Sequence, residues 1–375
     1  MILILHNRYR AAGGEERAVG DLAALLARRG HEVEVIERSS QELGRGRAAA
    51  GLLAGGLDPG EVGELVRRHR ARVVHAHNLH PLFGWRAMAA ARAGGARTLL
   101  HLHNYRLFCA IAVAYRDGAT CFRCRRGHTR PGLRLRCRGS LPEAAVYAAA
   151  LRRQQPRLLE HVDQFVAVSD ALAGHLRDLG LPPSLTATLP NFMPNDEFAA
   201  ESAAAHGEFA LAAGRLTEEK GFDLAISAAR SAGVPLVVAG AGPDAQRLRS
   251  LAVGADVRFT GRLGAGELAA LRRRAALVLA PSRWEEPCPY SVLEAMAAGV
   301  PVLASDRGGL PELVGEGSTL PPDDAAAWSA ALSELWENAR LRAQRGARAL
   351  ARSRDRFGEE GYYERLMRLY DGVSP

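Results

Sequence analysis

The sequence predicts an α/β protein with two doubly wound domains in tandem, each a parallel sheet covered by helices. Its 375 residues exceed the size at which one hydrophobic core stops growing, so two domains are expected. Short β-rich segments alternate with segments of helical periodicity along the chain, which indicates parallel sheets with helices on both faces. Ligands bind preferentially in clefts between domains, and we expect such a cleft here.

The first half of the chain contains the strands of the first predicted sheet. An apolar run at 1–6 leads into a polar loop with Gly13 and Gly14, which precedes a helical pattern. Further β-rich segments lie at 33–36, 73–75, 98–101 and 164–168. We assign the first domain to 1–193, with a cysteine- and arginine-rich insertion at 105–140.

The second half repeats the alternation after a small, polar stretch between Pro190 and Gly207, which we interpret as the linker. Its β-rich segments lie at 209–212, 236–239, 257–259, 277–279 and 302–304. We assign the second domain to 207–354. The closing aromatic helix at 355–375 is expected to pack back across the first domain.

Composition and charge narrow the class of protein. With 47% hydrophobic and 24% charged residues the chain is a typical globular protein. No apolar run reaches the roughly 20 residues of a membrane span, and the apolar start is too short for a signal peptide, so we expect a cytoplasmic protein. The net charge of +8 favours anionic partners such as phosphates, nucleic acid or the inner face of the membrane, without choosing among them.

Two glutamates flank a predicted loop-to-helix junction, in the stretch E-P-C-P-Y-S-V-L-E from Glu286 to Glu294. A helix beginning near Tyr290 would point its N-terminal N–H groups back towards Glu286 and form an anion site. Glu294 could accept hydrogen bonds from a ribose diol, and Glu286 could hold the transferred sugar. In the alternative interpretation Ser291 and Glu294 form a capping box that only stabilises the helix start.

This stretch resembles the E-x7-E signature of retaining glycosyltransferases of the GT-B kind, specifically family 4. The resemblance extends over nearly the whole chain and implies the GT-B fold, two tandem Rossmann-like doubly wound domains with a cleft between them. It implies that Glu294 binds the nucleotide ribose and that Glu286 contacts the donor sugar as a catalytic residue. Cys288, Pro289 and Tyr290 would then line the donor site, where many members have a Phe-Gly pair instead.

A second motif follows the first predicted strand of the second domain, from Gly214 to Gly221. Arg215 and Lys220 lie five positions apart across a tight turn, a spacing that could clamp a diphosphate. The segment resembles the family element G-R-x-x-x-x-K-G, which implies that both cations bind the donor pyrophosphate. A solvated basic turn is the alternative.

A third candidate is the N-terminal loop at 9–16, which contains Gly13 and Gly14 before a predicted helix. Glycine allows the backbone to approach a ligand closely, and a helix N-terminus favours negative charge. The loop resembles the family's glycine loop, which implies contact with the donor phosphates and sugar. An ordinary turn is the alternative.

Histidines mark the ends of two predicted strands of the first domain. His101 and His103 share one side of their strand by alternation, and His75 and His77 repeat the pattern on the preceding strand. By the resemblance, His103 is the catalytic candidate that contacts the donor sugar, with His101 second. His77, His101 and Tyr105 are assigned to the acceptor side, although a strand-end histidine often has only a structural role.

Four cysteines occupy the insertion, Cys109, Cys121, Cys124 and Cys137, around one C-x-x-C knuckle. Four thiolates could bind a structural zinc that stiffens a segment without a core of its own. Reduced thiols and a redox disulfide remain alternatives. No cofactor is expected for catalysis, because no acidic D-x-D motif accompanies the predicted donor site.

The insertion is also strongly basic, with Asp117 as its single acid. Its arginines include Arg116, Arg123, Arg125, Arg126, Arg130, Arg134, Arg136 and Arg138. We expect the segment to overhang the acceptor side, where it would suit an anionic acceptor or peripheral contact with the inner membrane. A solvated loop is the alternative.

Together these features predict a retaining glycosyltransferase that moves a sugar from a nucleotide-diphosphate-sugar donor to a hydroxyl acceptor. The acceptor would be a polysaccharide or lipid-linked intermediate or a secondary metabolite. The rival enzymes are a phosphorylase and a sugar-nucleotide epimerase of the same fold. A zinc-containing nucleic-acid-binding protein would explain the charge and the cysteines but neither the paired glutamates nor the tandem α/β pattern, so no nucleic-acid partner is expected.

Overall fold

The computed structural model describes residues 1–8, 13–39 and 43–373. The chain divides into two compact units, whose main boundary falls between Pro190 and Asn191. The first unit contains residues up to 114, 121–190 and 363–373, and the second contains 115–120 and 191–362. The polar stretch after Pro190 packs within the second unit, where the Met193 N–H donates a 2.8 Å hydrogen bond to the Phe357 carbonyl.

Eight strands precede the main boundary in the part of the chain that the structure describes. They are β1 (Ile2–Arg8), β2 (Val33–Ser39), β3 (Val73–Ala76), β4 (Arg97–Leu102), β5 (Tyr115–Arg116), β6 (Ala119–Thr120), β7 (Gln164–Ala167) and β8 (Thr186–Thr188). Six of them form a parallel sheet in the order β2-β1-β3-β4-β7-β8, while β5 and β6 pair as a short antiparallel hairpin. Every residue of β3 and β7 is buried, as expected for strands covered by helices on both faces.

Seven α-helices are described before the same boundary. They are α1 (Gly14–Arg28), α2 (Arg45–Ala54), α3 (Pro59–His69), α4 (Gly84–Ala93), α5 (Arg130–Arg134), α6 (Leu141–His161) and α7 (Asp170–Leu179). Helix α1 buries Leu22, Leu25 and Leu26 on one face, which is the spacing that the sequence pattern predicted.

The second unit contains its own parallel sheet. Its strands are β9 (Phe209–Ala213), β10 (Leu236–Ala239), β11 (Val257–Gly261), β12 (Ala275–Ala280), β13 (Val302–Ser305) and β14 (Thr319–Leu320). They lie in the order β11-β10-β9-β12-β13-β14, the arrangement of a dinucleotide-binding doubly wound sheet.

Eight helices follow the main boundary. They are α8 (Phe222–Ala232), α9 (Ala245–Leu251), α10 (Ala265–Arg273), α11 (Tyr290–Ala297), α12 (Leu310–Val314), α13 (Ala325–Glu337), α14 (Ala339–Phe357) and α15 (Glu359–Asp371). The core of the second unit includes Ile226 of α8 with Trp328 and Leu332 of α13, all fully buried. The end of α15 belongs to the first unit, where the Tyr370 hydroxyl lies 2.9 Å from Nδ1 of His75.

The two parallel sheets confirm the predicted fold class. Every β-rich segment predicted from the sequence overlaps a strand. The edge strands β8 and β14 and the hairpin β5–β6 were missed, because two or three residues are too few to produce a readable alternation. Within the described residues, no helix combines the length and the hydropathy that membrane crossing requires.

Candidate functional site

Each sheet has one topological switch point, where the order in which successive strands are added to the sheet changes direction. In the second unit this switch point lies between β9 and β12, and in the first it lies between β1 and β3. Loops that leave the carboxyl ends of strands at a switch point form the usual ligand crevice of doubly wound folds. The predicted donor residues follow β9 and β12, and the predicted histidines follow or end β3 and β4.

An ion pair joins the two loops at the switch point of the second unit. Lys220 Nζ, after β9, lies 2.7 and 2.6 Å from the two carboxylate oxygens of Glu286, after β12. The Ser282 hydroxyl and the Trp284 indole N–H donate to Glu286 Oε2 at 2.7 and 2.8 Å. Because Glu286 is only 5% exposed, these donors compensate the cost of burying its charge.

This geometry changes the interpretation of Glu286. The sequence offered no structural reason for the residue, yet its carboxylate is the anchor of the loop that follows β12. The same ion pair places the ammonium group of Lys220 at the edge of the sheet, with 20% of the side chain exposed. Contact of Glu286 with a donor sugar stays a prediction.

Close backbone contacts fix the neighbouring loops. Gly221 has a φ of 67°, and a Cβ at this position would lie 1.9 Å from the Pro281 carbonyl oxygen. Gly308, after β13, has a φ of 56°, and a Cβ there would lie 2.4 Å from the Glu286 carbonyl oxygen. Only glycine fits both conditions, so the loops after β9 and β13 pack directly on the loop after β12.

Sequence reasoning missed the glycine pair after β13. The Gly309 N–H donates to the Glu286 carbonyl at 2.7 Å, and the Gly308 N–H donates to Glu285 Oε2 at 2.7 Å. The signal was present in the sequence, because two adjacent glycines lie four and five positions after the end of the predicted strand at 302–304. A rule that inspects glycine pairs after every strand would have found them.

Arg215 differs from Lys220 in its surroundings. Its side chain is 61% exposed, and its guanidinium bonds to Glu219 Oε1 at 3.2 Å. The Thr217 hydroxyl holds the same carboxylate oxygen at 2.7 Å. Arg215 therefore lies at the surface of the loop, tethered by one exchangeable ion pair, and can turn towards an incoming anion.

Helix α11 begins at Tyr290, as the sequence predicted, but the capping-box alternative is wrong. Pro289 is the N-cap residue and no side chain caps the helix, because Ser291 already lies inside the first turn. Glu294 forms an ion pair with Arg272, which comes from α10 and is itself buried. The Glu294 side chain keeps 14% exposure, and its ribose role stays a prediction.

Cys288, assigned to the donor site, is a buried residue. Burial raises the pKa of its thiol to about 12, so the group is protonated at neutral pH. Its carbonyl accepts a 3.0 Å hydrogen bond from Asn191 Nδ2. Tyr290 is also buried, so this part of the loop contributes more to packing than to exposed surface.

The first unit gathers histidines at its own switch point. His75 and His101 belong to β3 and β4, and His77 and His103 lie just beyond those strands. Nδ1 of His77 is 2.9 Å from Nε2 of His103, and their rings stack at 5.1 Å. The alternation read from the sequence therefore brings all four rings together.

Burial keeps these histidines uncharged. It lowers the pKa of His101 to about 4 and those of His75 and His77 well below their usual range. Burial and the neighbouring rings also lower the pKa of His103 well below its ordinary value. His103, the half-buried member, can therefore exchange hydrogen bonds with a ligand at neutral pH without carrying a charge.

The residues assigned to the acceptor side lie deeper than the sequence indicated. His77 and His101 are buried, and Nε2 of His101 donates to the Leu189 carbonyl at 3.2 Å. Tyr105 has no exposed surface, and its ring packs against Phe122 and His175. These contacts are structural, and the acceptor role stays a prediction.

The predicted glycine loop is described only in part, since residues 9–12 lie outside the described residues. Gly13 is the N-cap of α1, and Gly13 and Gly14 are both exposed. The Gly13 N–H donates to Glu16 Oε2 at 2.8 Å. A carboxylate already occupies this helix start, so a phosphate bound here would have to displace it.

No disulfide joins the five cysteines, all of which belong to the described residues. Burial raises the pKa of Cys124 to about 11. Gly132 contacts two of the four cysteines of the insertion: the Cys137 N–H donates to the Gly132 carbonyl at 3.0 Å, and a Cβ on Gly132 would lie 3.6 Å from Cys124 Sγ. The other three thiols of the insertion also raise the pKa of Cys124. The cysteines share one region, and zinc binding by them stays a prediction.

A groove of about 620 Å³ lies between the insertion and helix α6. Its apolar surface comes from Leu107, Phe108 and Leu159. Three exposed arginines also line it, Arg126, Arg130 and Arg152, and no acidic residue does. The groove combines apolar and cationic surface.

Comparison with known proteins identifies the family. Residues 195–352 match the family model described as glycosyl transferases group 1, and residues 12–197 match the model described as glycosyltransferase family 4. A D-inositol 3-phosphate glycosyltransferase of Actinosynnema mirum is 30% identical over 383 residues, covering 86% of this chain and 84% of that protein. The chain belongs to glycosyltransferase family 4.

Other relatives of this glycosyltransferase match a smaller part. A putative colanic acid biosynthesis glycosyltransferase, WcaL of Salmonella typhimurium, is 31% identical over 48% of this chain, and the chain spans only 49% of that protein. Among solved structures, Anabaena HepE in complex with UDP and glucose superposes with a TM-score of 0.68 at 18% identity, covering 99% of both chains. That similarity confirms the GT-B fold.

Proposed function

We propose that this glycosyltransferase transfers a sugar from a nucleotide-diphosphate-sugar donor to a hydroxyl acceptor with retention at the anomeric carbon. The observation that carries the proposal is the Lys220–Glu286 pair at the switch point of the second sheet. Doubly wound sheets bind nucleotides at this point. The HepE structure, whose ligands are UDP and glucose, gives further support.

The donor diphosphate would bind at the cationic loop after β9. Lys220 presents its ammonium group there, and Arg215 can leave Glu219 to form a bidentate contact with phosphate oxygens. The N–H groups in the first turn of α11 add a third source of positive potential. These groups would neutralise the negative charge that develops on the diphosphate as the glycosidic bond breaks.

On the acceptor side, His103 would contact the transferred sugar as a neutral hydrogen-bonding group. A histidine that lacks charge does not repel the positive character that the anomeric carbon gains in the transition state. Departure of the diphosphate and attack by the acceptor would then occur on the same face of the sugar. The diphosphate itself would receive the acceptor proton, and catalysis would need no divalent metal.

A screen of nucleotide-sugars tests this proposal. We expect one donor to be hydrolysed slowly without acceptor, by at least one order of magnitude above the no-enzyme control, and the released sugar to keep its anomeric configuration in early NMR spectra. The Lys220→Met variant should lose this hydrolysis because the leaving group loses its cation. Inversion at the anomeric carbon, or no turnover with any donor, would contradict the proposal.

The ribose contact of Glu294 makes a separate prediction. The Glu294→Gln variant should bind the free nucleoside diphosphate about 10–100-fold more weakly, since a charge-assisted hydrogen bond contributes about 1.5–3 kcal/mol. Titration calorimetry with the nucleoside diphosphate measures this loss. The matched control is Glu267→Gln on α10, whose carboxylate caps its own helix through Gly264. Equal affinities in both variants would refute the ribose role.

We further propose that the acceptor is an anionic amphiphile bound in the groove lined by Arg126, Arg130 and Arg152. An aliphatic segment would cover Leu107, Phe108 and Leu159, and phosphate groups would pair with the guanidinium groups. An acceptor of this kind would bring the cytoplasmic enzyme to the inner face of the membrane without a spanning helix.

Replacing the three arginines together by glutamine tests the groove. We expect binding to vesicles that contain an anionic lipid to weaken about 100-fold, because about 1 kcal/mol is lost per arginine. The control is Arg153→Gln, an exposed α6 arginine outside the groove. Unchanged co-sedimentation of the triple variant would contradict this acceptor assignment.

The four cysteines of the insertion would bind a structural zinc ion. The segment between Cys109 and Cys137 contains only a two-stranded hairpin of two-residue strands and the five-residue helix α5. Such a segment has little core, and a metal would supply the missing stability.

A further inference from the structure

Five buried histidine nitrogens in the first unit have no hydrogen-bond partner among the described residues. Two belong to His6, and the other three are Nε2 of His75, Nε2 of His77 and Nδ1 of His101. One ring nitrogen from each of these last three residues lies within 4.8 Å of one from each of the others. The three side chains come from the ends of adjacent strands β3 and β4, so their backbones are fixed by the sheet.

The opposite nitrogen of each ring does have a partner. Nε2 of His101 must donate to the Leu189 carbonyl, because a carbonyl oxygen only accepts. Nδ1 of His75 lies 2.9 Å from the Tyr370 hydroxyl, and Nδ1 of His77 lies 2.9 Å from Nε2 of His103. If the outer nitrogens donate, the three inner nitrogens all carry lone pairs.

We infer that His75, His77 and His101 bind one transition-metal ion through these three inner nitrogens. Neutral imidazoles are preferred ligands of Zn²⁺, and an outer hydrogen bond from each ring is the usual way in which proteins orient metal-binding histidines. Zn–N bonds of about 2.0–2.1 Å require nitrogens roughly 3.4 Å apart, so the rings would move together by about 1 Å on binding.

No hydrogen bond within the described residues satisfies the three inner nitrogens, whichever tautomers His75 and His77 adopt. In the tautomers whose outer nitrogens donate, the three inner lone pairs repel, and one water molecule has only two protons to donate. Reversing the tautomer of His101 would leave the Leu189 carbonyl facing a second lone pair. One cation satisfies all three nitrogens at once, with a water molecule as the fourth ligand of a tetrahedral site.

A carboxylate that would balance the charge of the ion lies on the same edge of the sheet. His6, at the end of the neighbouring strand β1, is fully buried, and its Nε2 lies 3.7 Å from Glu16 Oε1. The carboxylate of Glu16 therefore lies on the same edge of the sheet as the proposed ion.

The proposed ion would act as a positioning element for His103. It would hold the His77 ring by Nε2, and the ring would present Nδ1–H to Nε2 of His103. This fixes the tautomer of His103, which then carries its remaining proton on Nδ1. The inference goes beyond the proposed transferase activity, since metal binding does not require that activity.

Cobalt substitution of the full-length protein tests the site and separates it from the cysteines. The protein is stripped with a chelator, titrated with CoCl2 and then with ZnCl2. In the Cys121→Ser/Cys124→Ser variant, which lacks two of the four thiolates and therefore cannot complete the cysteine site, we expect one bound Co²⁺ with tetrahedral d–d bands and no thiolate-to-cobalt charge transfer. The wild type should add the charge-transfer band of the cysteine site.

Two further variants in that background identify the ligands. His101→Gln should lose the remaining cobalt signal, and Tyr370→Phe, which removes only the partner of His75, should weaken Co²⁺ binding about 10–100-fold. His206→Gln, an exposed histidine of the second unit, is the matched control and should bind normally. Circular dichroism verifies folding, and if His101→Gln is unfolded the Tyr370→Phe result decides.

The inference is overturned if the cysteine double variant binds no Co²⁺ or Zn²⁺, or if Tyr370→Phe binds Co²⁺ as tightly as its parent. Nucleoside diphosphate affinity is measured on the same samples. Loss of metal with unchanged nucleotide affinity would affect only this inference, whereas loss of nucleotide binding would affect only the proposed function.

Discussion

The ion pair between Lys220 and Glu286 is the interaction on which the second unit's site depends. The loop after β9 and the loop after β12 leave neighbouring strands, but nothing in the strands themselves orders the loops beyond their ends. The pair joins them, and the donors Ser282 and Trp284 complete the shell of the carboxylate. Because the group is buried, breaking any one contact leaves charge without compensation.

The buried ion pair between Lys220 and Glu286 also determines how the site can bind an anion. A lysine that is held by a buried carboxylate loses little conformational entropy when an anion arrives, so it is organised in advance for a diphosphate. Arg215 differs from Lys220 because it is exposed, and its ion pair with Glu219 can be exchanged for a contact with the anion. One fixed and one adaptable cation would allow donor binding and product release at the same loop.

The first unit relies on a different principle, which is burial of neutral imidazole. Its histidines lie near the switch point of the first sheet. Burial lowers their pKa values, so this edge of the sheet carries hydrogen-bonding groups without charge. Their outer partners come from distant parts of the chain, Leu189 and Tyr370. The cluster thus connects the end of α15 to the central strands.

Much of this could be predicted from the sequence because it depends on local periodicity. The alternation of apolar and polar residues identified the central strands, and the segments that follow those strands include Lys220, Glu286 and His103. Partners distant in sequence could not be predicted. Neither the pairing of Glu294 with Arg272 nor that of Glu286 with Lys220 follows from spacing, since 22 and 66 positions separate them.

The sequence also failed where a local rule competes with packing. Ser291 and Glu294 satisfy the spacing of a capping box, but the helix begins at Tyr290, so the N-cap is Pro289, two residues before Ser291. Tyr105 and Cys288 follow or lie near strand ends, yet packing turns both inward. Position in the chain predicts which edge of the sheet a residue occupies, whereas burial depends on neighbours from other elements.

A double-mutant cycle on Lys220 and Glu286 tests the central claim most directly. Urea unfolding of Lys220→Met, Glu286→Gln and the double variant gives the coupling energy between the two side chains. The account predicts a coupling of about 1–3 kcal/mol, with the double variant more stable than the sum of the single effects implies. Additive effects within about 0.5 kcal/mol would contradict it, since the two loops would then be held independently of this pair.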